Sequence, residues 1–186
     1  MRASKIIQEA ALLSGRGDIA DYIEATDRTN FSKETSKACN QMVTLLNMMI
    51  SELCTSFIPM IATEKIYATD KIEYDKLSKN AVEILKIYDA FGKEVDFKID
   101  YDHVKISSPC AKVVYKFHPK TYALTDNIDY EEKDISGSVL AYGLAAEFAL
   151  TEGDFDRACS FHDRYVEGVH AISKPKNSTV KQRSWV

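Results

Sequence analysis

The chain has 186 residues, 45% of them hydrophobic and 28% charged, which suits one domain or one domain with an appendage and excludes whole-chain disorder. Seven glycines and four prolines are too few for collagen-like, low-complexity or turn-saturated all-β designs. The formal net charge of −4 hides an asymmetry: residues 173–186 hold Lys174, Lys176, Lys181 and Arg183 and no acid, so the body keeps 20 basic against 28 acidic side chains, or −8. An acidic body with a short basic tail does not suit a nucleic-acid-binding domain, whose binding face is basic throughout.

In chain order, Ile6, Ile7, Ala10, Ala11 and Leu13 follow helical spacing, with Ser4 as the expected cap and Gly15 as the stop. A second short helix is predicted over residues 18–25, with Ile19, Tyr22 and Ile23 on one face and Asp18 as its cap. The strongest helical signal follows Ser32. Ala38, Met42, Leu45, Met49, Leu53 and Phe57 step by three or four, Leu46, Ile50 and Cys54 widen the stripe, and Pro59 ends it. From residue 60 to 117 the period changes to two. Short strands are expected at 61–67, 71–77, 82–87, 95–99, 101–106 and 111–117, antiparallel because the connections are too short for parallel crossovers. After a polar connector the helical period returns with Ile135, Val139, Leu140, Leu144 and Phe148, beside a ridge of Gly137, Ala141, Ala145 and Ala149 that permits close packing. Gly153 closes that helix and Asp154 caps a last one carrying Phe155, Ala158, Cys159, His162, Tyr165, Val166 and Val169.

The expected fold class is α+β. Residues 1–59 supply the N-terminal helices of a bundle, 60–117 an antiparallel β insert, 118–172 a connector and the helical hairpin completing the bundle, and 173–186 an extended basic arm. No apolar stretch approaches the roughly 18 residues of a membrane-spanning helix, and the start lacks the apolar block of a signal peptide. A soluble protein is expected. Cys39, Cys54, Cys110 and Cys159 are scattered without a Cys-x-x-Cys pair, so buried thiols in a reducing compartment are expected rather than a disulfide framework or zinc site.

Motifs that carry chemistry are scarce. The chain has no phosphate-binding glycine loop and no Gly-x-Ser-x-Gly elbow. His162 and His170 lie eight residues apart, roughly 12 Å along a helix, too far to share a metal directly; His103 and His118 stand apart in sequence. Asp126, Asp129, Glu131, Glu132 and Asp134 form an acidic cluster, read either as a divalent-cation or acid–base site or as carboxylates placed at a positive helix end. The second reading outweighs the first. Arg16-Gly17-Asp18 matches an adhesion tripeptide but is explained as a helix start, and Met42, Met48 and Met49 are expected in the core. Neither catalytic residues, metal ligands nor a cofactor are expected.

The tail reads differently. Its four cations accompany the chain's one tryptophan, Trp185, at the penultimate position, and Trp and Arg are the types most enriched in binding hot spots. An intermolecular anchor is therefore expected over a frayed end.

The helix through Cys39-Asn40-Gln41-Met42-Val43-Thr44-Leu45-Leu46-Asn47 runs into Ile58-Pro59 and a β insert. Then come Val139-Leu140-Ala141-Tyr142-Gly143-Leu144-Ala145-Ala146-Glu147-Phe148, Glu152-Gly153-Asp154-Phe155, and a basic tail ending Arg183-Ser184-Trp185. In this organisation the chain resembles the head–tail connector (adaptor) proteins of tailed bacteriophages. The resemblance implies a non-enzymatic virion protein in the neck, assembled in the host bacterial cytoplasm as a ring, usually dodecameric. Its implied partners are the portal protein, further copies of itself, the next neck or tail protein, and genomic DNA that passes without sequence-specific binding; no membrane is involved. Lys174, Lys176, Lys181, Arg183 and Trp185 would form the portal-binding arm, and Gly137, Ala141, Ala145 and Ala149 the subunit or bundle packing ridge. A cytosolic enzyme or metal-binding helical protein using residues 126–134 with His118 or His162 is the alternative, and a regulatory module gripping an acidic partner by its tail is a third.

Overall fold

The computed structural model describes residues 1–130 and 135–173, and the chain is α+β. Five α-helices and six strands are present among the described residues. The helices are α1 (Ala3–Leu13), α2 (Gly17–Glu24), α3 (Lys33–Ser56), α4 (Gly137–Glu152) and α5 (Phe155–Ser173). The strands are β1 (Ile61–Glu64), β2 (Lys71–Glu73), β3 (Ala81–Tyr88), β4 (Phe97–Ile99), β5 (His103–Ile106) and β6 (Lys112–Phe117). The chain divides into two compact units, one from residues 1–46 with 123–186, the other from residues 47–122, so α3 contributes residues to both.

The helical unit is organised by α4, a mostly apolar helix buried along Leu140, Ala141, Leu144, Ala145, Phe148 and Ala149, with Ser138 and Glu147 exposed. Ser136 caps it, its Oγ accepting from the Val139 N–H at 3.3 Å, so Ile135 lies just outside the helix. Gly153 (φ 80°) ends it in the left-handed conformation that glycine adopts without a Cβ penalty. Asp154 then opens α5, with Oδ1 accepting from the Arg157 N–H at 3.2 Å. The turn returns α5 antiparallel along α4, where Arg164 donates to the Tyr142 hydroxyl at 2.9 Å. Gly168 faces Val139 so closely that a Cβ there would stand 2.5 Å from Val139 Cγ2.

The small-residue ridge of α4 is used inside the chain. A Cβ on Gly137 would meet Met1 Sδ at 3.5 Å and Ile6 Cγ1 at 4.0 Å, while Ala141, Ala145 and Ala149 are buried. The expected cap at Ser4 is displaced: α1 starts two residues earlier than that cap implies, at Ala3, and Arg2 stands at the cap position without a side-chain bond. The start is held instead by backbone pairing of Arg2 with Asn127, reinforced by Ala3 N–H donating to Asp126 O at 2.9 Å. Ser32 does cap α3, accepting from the Thr35 N–H at 3.0 Å.

The second unit holds two three-stranded antiparallel sheets, in the orders β1-β6-β3 and β2-β5-β4. Central β6 alternates cleanly, burying Val113, Tyr115 and Phe117, and β3 buries Ile84 and Ile87 on either side of a bulge. The tail end of the second predicted strand is a 3-10 turn, Tyr74–Lys76, rather than extended chain. Buried Tyr115 donates its hydroxyl to Glu64 Oε2 at 2.9 Å, and Ser78 donates to the same oxygen from its N–H and hydroxyl. Those donors hold the Glu64 carboxyl below its ordinary value. Asn47 clamps the unit's last residue, accepting from Tyr122 N–H at 2.7 Å and donating to Tyr122 O at 2.9 Å.

Candidate functional site

Of the residues that sequence reasoning singled out, the arm residues Lys174, Lys176, Lys181, Arg183 and Trp185 lie outside the described residues, as do Glu131, Glu132 and Asp134 of the acidic cluster. Asp126 serves its own turn: Oδ2 accepts from the Ala123 N–H at 3.0 Å. Asp129 is exposed. His162 and His170 occupy α5, with the His162 ring tilted 51° to that of Tyr165 at a centroid distance of 6.3 Å. Among the described residues no group of three or more His, Cys, Asp or Glu side chains is placed to hold a metal ion. No helix there is long and apolar enough to cross a membrane.

Arg16 and Asp18 form a two-point ion pair, Nε to Oδ1 at 2.9 Å and Nη2 to Oδ2 at 3.0 Å, and Asp18 also accepts from the Thr35 hydroxyl at 3.0 Å. The Arg16 hydrogen bond, aided by Thr35, pulls the Asp18 carboxyl down to about 2. Asp18 therefore ties α2 to the start of α3 through its side chain instead of capping α2, whose cap position is Arg16. Cys39, Cys54 and Cys110 are buried and Cys159 is exposed. Met42 and Met49 are core residues, whereas Met48 points to solvent because it falls on the polar side of α3.

Three places among the described residues set exposed or lining apolar side chains beside polar and charged ones. In the helical unit, Ser14, Arg16, Glu152 and Arg157 line one hollow, which brings the ends of α1 and α4 and the start of α5 together. Leu12, Leu150 and Phe155 are exposed at that end. In the second unit a groove of about 350 Å³ opens where α3 ends beside the starts of β1 and β3 and the end of β6. Phe57, Pro59, Val82 and Phe117 wall it, and the ion pair of Lys116 Nζ with Glu83 Oε2 (2.6 Å) and the exposed His118 edge it. Lys79 Nζ lies 4.0 Å from the centroid of the Phe117 ring.

The third place is a pair of turns. Phe91 is 96% exposed and Tyr101 fully exposed, each at the tip of a hydrogen-bonded turn. Asp89 Oδ1 accepts from the N–H groups of Phe91 (2.8 Å) and Lys93 (2.9 Å), and Gly92 takes φ 82°. At the other tip Asp100 Oδ1 accepts from Tyr101 N–H at 2.9 Å, and Asp100 N–H donates to His103 O at 2.9 Å. The Asp89-Ala90-Phe91-Gly92 turn is legible in sequence; the full exposure of its aromatic side chain is not. Groove residues come from three separated stretches of chain, and no local pattern marks them.

No protein-family model matches the chain, and no curated protein matches it either.

Proposed function

We propose that the chain is a structural virion protein, the head–tail connector (adaptor) of a tailed phage. It acts as one subunit of a ring that docks on the portal and lines part of the DNA conduit. The reading rests on the order of helices, insert, hairpin and basic tail. The observation that carries it beyond that order is the distribution of exposed apolar side chains. Leu12, Leu150 and Phe155 stand on one unit, and Phe57, Ile61, Val82, Phe91 and Tyr101 on the other. Side chains of this size, set on hydrogen-bonded elements, suit contacts with neighbouring subunits.

In this reading the arm carrying Lys174, Lys176, Lys181, Arg183 and Trp185 grips an acidic portal surface, with its affinity multiplied across the ring. The acidic body repels phosphate, so duplex DNA slides through without sequence readout. Removing residues 174–186 tests the arm. The helical content and melting temperature are expected to stay unchanged while attachment to DNA-filled capsids is lost. Truncated protein that still restores infectious particles overturns the assignment.

A further inference from the structure

Helix α5 packs on α4 through one side only. Ala158 and Val169 are buried there, the Phe161 ring lies 6.2 Å from that of Tyr142, and Gly168 faces Val139. Helical periodicity puts Asp156, Cys159, Ser160, Asp163 and Glu167 on the opposite side, and all five are exposed. That side holds three acids and no base. Arg157 turns to Asp154 (3.3 Å) and Arg164 to the Tyr142 hydroxyl, so Asp156, Asp163 and Glu167 form no ion pair among the described residues. At the start of the helix, Phe155 stands 66% exposed on the edge of the same side.

We propose that the chain's own C-terminal segment, residues 174–186, covers this side of α5, with Trp185 on Phe155 and with Lys181 and Arg183 among the acids. The length suffices. Phe155 to Ser173 spans about 27 Å of helix, while Trp185, twelve residues past Ser173, commands about 40 Å of extended chain, which leaves room for the reversal. Pro175 cannot continue the helix and biases Lys174 toward extended backbone, so the chain changes course there.

The spacing also suits. Lys181, Arg183 and Trp185 alternate, so an extended strand presents all three on one side. With Trp185 level with Phe155, Lys181 falls about 13 Å along the helix, where Asp163 stands at about 12 Å, and Arg183 falls between Asp163 and Asp156. Charge points the same way. Residues 1–46 and 123–173 hold 9 basic and 17 acidic side chains, net −8, whereas residues 47–122 balance at 11 of each, so the acid excess lies in the unit that carries the +4 segment. Because the segment is tethered directly to α5, weak contacts are enough to hold it.

The contact goes beyond the ring reading and does not depend on it. Within a ring, the segment would stay sheathed on α5 until an acidic portal surface competed for the same cations. Exposed ion pairs and one ring contact open below the temperature of global unfolding, so the melting temperature stays as expected for the truncated chain.

Trp185 is the chain's single tryptophan, so its fluorescence reports the contact directly. In dilute full-length protein at low salt, acrylamide is expected to quench Trp185 about threefold less than it quenches a free peptide of residues 174–186, and about 0.5 M salt to remove most of that protection. Lys181→Glu with Arg183→Glu should open the indole to quencher, as should Asp156→Lys with Asp163→Lys. Combining all four should restore protection, a rescue that a mere change of net charge does not give. Phe155→Ser should weaken protection with every charge intact, and circular dichroism checks that each variant keeps its helices. Quenching equal to that of the free peptide, or no rescue in the charge-swapped chain, overturns the proposal. Protection lost on about hundredfold dilution overturns it too, because the contact then belongs to a second copy. None of these readings needs a ring or a portal, so a chain that stays monomeric refutes the ring and leaves this contact standing.

Discussion

Replacing Gly168 by alanine probes how closely the two C-terminal helices pack. A Cβ at this position would stand 2.5 Å from Val139 Cγ2 and 2.9 Å from Cγ1, against the roughly 3.5–4.0 Å that carbon atoms prefer. Alanine in a helix interior gains about 0.5–1 kcal/mol over glycine, and overpacking costs about 1–3 kcal/mol, so the clash wins. Gly168→Ala is expected to destabilise the protein by about 1–2 kcal/mol, read from urea unfolding followed by circular dichroism. Val139→Ala, trimming a partly buried side chain, is expected to cost about 1 kcal/mol alone. Because each substitution relieves what the other creates, the double variant should be more stable than the sum of the singles by about 1 kcal/mol or more. A Gly168→Ala protein as stable as the parent, or singles that simply add, would refute the packing of α5 on α4 described above.

Two further outcomes are expected. Asn47→Ala removes both bonds to the Tyr122 backbone and should cost about 1–3 kcal/mol, visible as a fall of several degrees in melting temperature; Asn47→Asp keeps the acceptor but sets a carboxylate oxygen against the Tyr122 carbonyl, so it should not restore the parent's stability. Asp18, held at about 2 in the folded chain against 3.8 ordinarily, contributes stability that is fully present above pH 4 and lost as pH falls from there toward 2. Asp18→Asn should flatten that limb of the pH–stability curve, by a small amount because the ion pair is open to solvent, and more visibly at low salt.

Much of the architecture was legible because local chemistry and tertiary packing agree. Ser32 caps α3 and the Gly153-Asp154 pair turns the hairpin, each by a bond that depends on neighbours within four residues. The strands of the insert follow the alternation of β6 and the apolar positions of β3. Where prediction departed from structure, a distant partner intervened. Ser4 lost its capping role to strand-like pairing with residues 126–127, and Asp18 turned from its own helix toward Arg16 and Thr35. Gly168 looks like any helix-interior glycine until Val139 is placed against it. The groove is illegible for the same reason: Phe57, Val82 and Phe117 meet only through sheet register and the end of α3.

Native mass spectrometry of the chain, alone and with a portal protein encoded in the same genome, tests the proposed ring most directly. A discrete ring species, with one copy number when bound to the portal, is the predicted result. A monomer under both conditions contradicts it.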